Sequence, residues 1–136
     1  MEKLHLTDKE WRERLTDEQY RVMRGHGTEA AFCSQLHEEP RAGVYQCAAC
    51  GLPLFSSTDK FVSKSGWPSF TQPITPDAIE ETIDRSYGMV RREIHCGRCE
   101  GHLGHVFEDG PAPTGLRHCL NGAALDFVPA VGEGAD

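Results

Sequence analysis

Tyr87-Gly-Met-Val-Arg-Arg-Glu-Ile-His-Cys-Gly-Arg-Cys-Glu-Gly-His-Leu-Gly-His-Val-Phe107 contains the pattern on which the fold turns. Two runs with β-type composition, Tyr87–Ile94 and Leu103–Phe107, flank a Cys-x-x-Cys knuckle at Cys96 and Cys99. Outward from this stretch, further segments rich in β-branched and aromatic residues stand at Val44–Gln46, Ile79–Ile83, Leu116–Leu120 and Leu125–Val128, punctuated by clusters of Gly, Pro, Asp and Ser. They predict a mainly β domain of antiparallel character over about residues 43–129. Ahead of it, Thr7-Asp8-Lys9-Glu10 and Thr16-Asp17-Glu18-Gln19 have capping-box form and predict two short helices within about residues 7–25. Gly25 is expected to end the second in the left-handed conformation. Gly27 to Gly43 reads as irregular loop, and residues 131–136 as a frayed tail.

A second knuckle, Cys47-Ala48-Ala49-Cys50, precedes the first by the span Gly51 to His95. Four thiolates brought together make a closed tetrahedral shell with no open position, the arrangement of a structural zinc. Two such knuckles favour one Zn²⁺ per chain over a redox Cys-x-x-Cys pair. The long span between them predicts a staple joining distant strands or loops of one domain. His102 lies three residues beyond Cys99, but a shell of four thiolates has no place for it.

The chain has 136 residues, enough for one domain with its own core, and a formal net charge of -7 that opposes binding to phosphate backbones. No apolar run has membrane-spanning length, and the charged opening residues lack the form of a secretory signal. Six cysteines without such a signal point to a reducing compartment, and the expected location is the cytoplasm. No heptad or long apolar stripe argues for self-association, so a monomer is expected.

Cys33 and Cys119 remain outside the knuckles. Arg117, two residues before Cys119, shares its face on a strand and favours a thiolate; the same pattern also suits a small core hydrophobe. His102 and His105, with Asp109 nearby to orient a ring, are acid/base equipment or satisfied structural groups. Trp67 and Phe70, around Pro68, suit an apolar pocket wall or ordinary core. These residues are compatible with a thiol enzyme, including a peroxide-reducing one, and the knuckles alone with a zinc-ribbon interaction module.

Taken together, the double Cys-x-x-Cys, Gly66-Trp67-Pro68-Ser69-Phe70, Gly101 to Pro111 and Arg117-His118-Cys119-Leu120-Asn121 resemble the methionine-R-sulfoxide reductase family. Leu15 to Tyr20, Gly27-Thr28-Glu29 and Gly43-Val44-Tyr45 extend the likeness over nearly the whole chain. The resemblance implies two antiparallel sheets forming a barrel-like domain, a zinc site remote from catalysis, and reduction of the R epimer of methionine sulfoxide, free or in proteins. It implies Cys119 as nucleophile, Trp67 with Phe70 and Phe107 as substrate pocket, and His102, His105, Asp109, Arg117 and Asn121 as polar surround, with His105 as principal acid. Ser65 stands where many relatives carry a recycling cysteine. With the family cycle in view, Cys33 is the thiol expected to form a disulfide with Cys119, for thioredoxin to reduce. His118, Gly122 and Lys64 also depart from the family's common residues.

Overall fold

The computed structural model describes residues 3–25, 39, 41–61, 66–85, 88, 90–112 and 114–130. Cys33, Lys64, Ser65, most of the expected loop before β1 and the tail after residue 130 lie outside them.

Both helices start where capping chemistry places them. In α1 (Asp8–Arg14), Thr7 Oγ1 accepts from the Glu10 N–H at 3.2 Å while Glu10 Oε1 accepts from the Thr7 N–H at 2.9 Å. Thr16 and Gln19 repeat the exchange at α2 (Asp17–Met23), at 3.1 and 2.9 Å. Helices of seven residues are too short to hold alone, and both lean on burial of Trp11, Leu15, Val22 and Met23. Gly25 is not left-handed. The helix closes instead as the Arg24 and Gly25 N–H groups both donate to the Tyr20 carbonyl, at 2.9 and 3.1 Å.

Nine strands follow among the described residues: β1 (Gly43–Cys47), β2 (Pro53–Ser56), β3 (Lys60–Phe61), β4 (Ser69–Phe70), β5 (Ile79–Asp84), β6 (Arg91–Cys96), β7 (His102–Phe107), β8 (Arg117–Leu120) and β9 (Leu125–Pro129). They form two sheets with antiparallel pairing, ordered β2-β1-β9 and β3-β4-β8-β7-β6-β5. Neither ladder closes among the described residues, so the barrel-like expectation holds only loosely. Strand β6 begins at Arg91 rather than at Tyr87, because Gly88 takes a φ of 70°, outside the extended region. β2, β3 and β4 carry too little alternation to read: one opens on a proline and the others have two residues each.

The core lies between the sheets. Alternate residues of β1 (Gly43, Tyr45, Cys47) are buried, and the Tyr45 ring meets Phe70 of β4 edge-on at 5.0 Å. Phe55 of β2 stacks on Phe70 at 4.5 Å and approaches the His118 ring at 5.9 Å. Ile94, Leu103 and Leu120 are fully buried in the same cluster.

A strap of chain crosses the Cys96–Cys99 knuckle. Leu4 donates its N–H to the Arg98 carbonyl at 2.8 Å, and Lys3 Nζ donates to the Gly97 carbonyl at 2.8 Å while pairing with Glu80 at 2.5 Å. Arg24, at the end of α2, donates to the Cys99 carbonyl at 2.9 Å, and Arg98 donates to the Cys50 carbonyl.

Candidate active site and metal centre

Cys47 and Cys96 are the last residues of β1 and β6, and each knuckle turns in the same way. The Cys47 N–H donates to the Leu52 carbonyl and the Cys47 carbonyl accepts from Gly51; the Cys96 N–H donates to Gly101 and the Cys96 carbonyl accepts from Glu100. Both turns need a left-handed residue after the second cysteine, supplied by Gly51 (φ 81°) and Glu100 (φ 64°). The four sulfurs converge within 4.8 Å of one another, with Cys47–Cys99 at 3.7 Å and Cys50–Cys96 at 3.5 Å. A tetrahedron with metal–sulfur bonds of about 2.3 Å has edges of about 3.8 Å. The donor set and its spacing therefore fit a closed shell of soft ligands. Hydrogen bonds from Cys47 hold the Cys50 thiol below the ordinary range and draw Cys96 down to about 7, while Cys47 is pushed up. Cys99 is pushed up as well, so two of the four thiols hold their protons, which a metal would have to displace. Because β1 and β6 belong to different sheets, the site joins the two.

A separate cleft of about 190 Å³ opens on the outer face of the six-stranded sheet, lined by Trp67, Arg91, His105, Phe107, Arg117, Cys119 and Asn121 among others. Its size suits a side chain rather than a drug-sized cofactor. The cleft is built by register. Cys119 on β8 lies directly across from Ser69 on β4 and from His105 on β7, so the Cys119 and His105 side chains share a face. One residue along, His118 and Leu120 point the other way, into the core. Close approach of β7 to β8 requires Gly104, where a Cβ would stand 2.0 Å from the Cys119 carbonyl oxygen.

Two imidazoles three residues apart on a regular strand face opposite sides of the sheet. Here Ile94 pairs with Gly104 but His95 pairs with His102, so Leu103 is an extra residue and β7 carries a bulge. The bulge turns His102 and His105 towards one another, with ring centroids 5.6 Å apart. Asn121 secures it: its backbone N–H and its Nδ2 both donate to the Leu103 carbonyl, at 2.9 and 3.1 Å.

The partners of these rings were not legible in sequence. His102 is buried and bonds Glu93 Oε2 through Nδ1 at 2.6 Å; His105 bonds Asp84 Oδ2 through Nε2 at 2.9 Å. Asp109 orients neither ring. It accepts from Arg117 Nε and Nη2 at 2.9 and 3.2 Å, and the guanidinium holds its carboxyl below the usual range. Arg117 in turn lies 4.5 Å over the Phe107 ring, and its pKa is raised first by Asp109 and further by its interaction with Cys119. Phe70, expected in the substrate pocket, is fully buried on the core side, since it pairs in register with His118 and not with Cys119. Cys33 lies outside the described residues, so its separation from Cys119 is not part of this geometry. The signal that would have exposed Asp84, Arg91 and Glu93 is alternation along β5 and β6, which acquires meaning only once the register is known.

The SelR domain model matches residues 15–129. The chain is 53% identical over 133 residues to the peptide methionine sulfoxide reductase MsrB of Hahella chejuensis, covering 98% of this chain and 96% of that protein. It is also 53% identical over 132 residues to the protein of the same name from Pseudomonas putida (97% and 99%), and 54% identical over 123 residues to that from Thiobacillus denitrificans (90% and 93%). Among solved structures, the Mis18 'Yippee-like' domain aligns with a TM-score of 0.52 at 19% identity, covering 66% of this chain and 98% of that one, a likeness of fold alone. With the model spanning most of the chain and relatives matched over nearly their full length, the chain belongs to the SelR-domain family, that of the peptide methionine sulfoxide reductases MsrB.

Proposed function

We propose that this protein reduces methionine sulfoxide, specifically the R epimer, free or within oxidised proteins, and so serves protein repair. The observation that carries the reading is Cys119: a thiol in a side-chain-sized cleft, interacting with a guanidinium and directly across from an imidazole. Trp67 and Phe107 line that cleft as apolar walls suited to the methyl group.

The Cys119 thiolate, favoured by Arg117, attacks the sulfoxide sulfur. His105 donates a proton to the sulfoxide oxygen, which otherwise leaves sulfur a poor electrophile, and His102, braced by Glu93, supports the His105 ring. Asn121 and the Arg117–Asp109 pair keep the surround in place. The protonated oxygen then transfers to the Cys119 sulfur as its bond to the methionine sulfur and the transient sulfur–sulfur bond break, so that methionine departs reduced and Cys119 is left oxidised as a sulfenic acid. Condensation with the Cys33 thiol releases water and forms a disulfide, which a thioredoxin dithiol reduces. The remaining features of this reading are a single domain over residues 1–136, acting as a monomer in the cytoplasm, with a structural Zn²⁺ held by Cys47, Cys50, Cys96 and Cys99. Among the described residues no helix is long and apolar enough to cross a membrane.

One assay tests the cycle: separated R and S epimers of a blocked methionine sulfoxide, with dithiothreitol or thioredoxin as reductant, and methionine formed as readout. Wild type is expected to convert the R epimer. Cys119→Ser should convert neither with either reductant, and Cys33→Ala should complete one stoichiometric round but lose turnover with thioredoxin. Turnover of neither epimer by wild type would leave a zinc-stapled binding module as the better account.

A further inference from the structure

Beside the cleft, two acidic side chains from outside the motif-bearing segments meet the two histidines, and only one of the pairs reaches the cleft itself. Asp84 ends β5, the edge strand of the larger sheet, and stands in register with Arg91 at the start of β6. Its Oδ2 accepts from His105 Nε2 at 2.9 Å and from Arg91 Nη2 at 3.2 Å, so one carboxylate oxygen ties an imidazole to a guanidinium. The pair is well shielded, with 18% of the Asp84 side chain and 14% of the His105 side chain exposed. At such depth a carboxylate–imidazole bond is stronger and more directional than at a surface. Arg91 lines the cleft, yet its Nε is buried and finds no acceptor among the described residues. Buried donors are rarely left unmatched, so this one marks the Arg91 guanidinium as a group whose placement answers to something other than its own hydrogen bonding.

We propose that Asp84, clamped by Arg91, is a positioning residue that fixes the orientation and tautomer of His105, so that Nδ1 is the ring nitrogen that exchanges a proton with substrate in the Cys119 cleft. This deepens the reductase reading and rests on it. The Nε2–H bond to Asp84 leaves Nδ1 as the other site on the ring, and the carboxylate stabilises the imidazolium that must donate. His105 is also faced by Glu93 on β6, by His102 on its own strand, and by Cys119 with Arg117 nearby on β8. Glu93 is committed to His102 at 2.6 Å and Arg117 to Asp109. Asp84 is therefore the carboxylate that acts on His105 directly.

The test is a double-mutant cycle read by single-turnover formation of methionine from the R epimer, with steady-state kcat and KM recorded for each variant. Asp84→Asn keeps the shape but not the charge, and is expected to slow the chemical step about tenfold to a hundredfold, part of the 10²–10⁴ a positioned acid supplies, with KM little changed. In a His105→Ala background the same substitution should cost nothing further, and Asp84→Glu should recover part of the rate. Arg91→Lys, which keeps a cation without the planar fork, should reproduce a milder form of the defect and serves if Asp84→Asn is poorly folded. An Asp84→Asn enzyme with the wild-type single-turnover rate would overturn the inference, as would an equal loss with and without His105. Wild type inert towards both epimers would instead sink the reductase reading itself.

Discussion

Cys119 and His118 are neighbours on β8 with opposite surroundings. One faces a cleft, and the other is buried against Phe70 and Phe55, its Nδ1 3.3 Å from the Phe70 carbonyl. Burial lowers the His118 pKa, a tendency only partly countered by that hydrogen bond. In the unfolded chain the same imidazole titrates near its ordinary 6.5. Above that value both states are neutral and the residue contributes no pH dependence; below it the unfolded state takes up a proton that the folded state resists. Stability is therefore expected to fall as pH drops from about 6.5 through the folded-state value. Urea unfolding at pH 7.5 and pH 5.5 measures the drop, and His118→Phe should diminish it; an equal drop in the variant assigns the effect to other groups. The site was partly open to sequence reading at this scale. Cys119, His102, His105 and Arg117 stand out because their chemistry is unusual in short motifs. Phe70 misled because face is a property of register, which two residues of β4 do not reveal.

At the scale of elements, the decisive feature is the bulge in β7. A regular strand over His102–Phe107 would separate the histidines, and the extra residue Leu103 reunites them. Asn121 is predicted to act through that bulge. Asn121→Ala removes the Nδ2 donor to the Leu103 carbonyl while leaving the backbone bond, which should cost about 1–3 kcal/mol of stability and lower activity through misplaced rings. Thermal denaturation alongside initial rates checks this; full activity with full stability would show that the backbone bond suffices. The helices and six of the strands were readable in outline because capping boxes and β-rich runs are local signals. The bulge, the two-residue strands and the partners Asp84 and Glu93 were not, since each depends on how strands far apart in sequence align.

For the molecule as a whole, the knuckles bind the two sheets together at the ends of β1 and β6. Glu93, behind the histidines, is three residues from Cys96, roughly 10 Å along β6, so metal loss should reach the active site by slackening a shared strand rather than by chemistry. Cys50→Ser is expected to lower metal content and melting temperature together by opening the four-sulfur shell. Elemental analysis and calorimetry on the same preparation test it; a metal-free protein of unchanged melting temperature would remove the structural role.

The strap over the Cys96–Cys99 knuckle bears on how long a bound ion would stay, as distinct from how tightly it would be held. Leu4, Lys3 and Arg24 bond to the carbonyls of Arg98, Gly97 and Cys99, and Arg98 reaches over to Cys50. On the Cys96–Cys99 side, a chelator would meet this lattice before it met sulfur, whereas Cys50 is only half-buried. Escape of a bound ion on that side would be gated by the opening frequency of the strap, which would slow exchange towards the timescale of local unfolding.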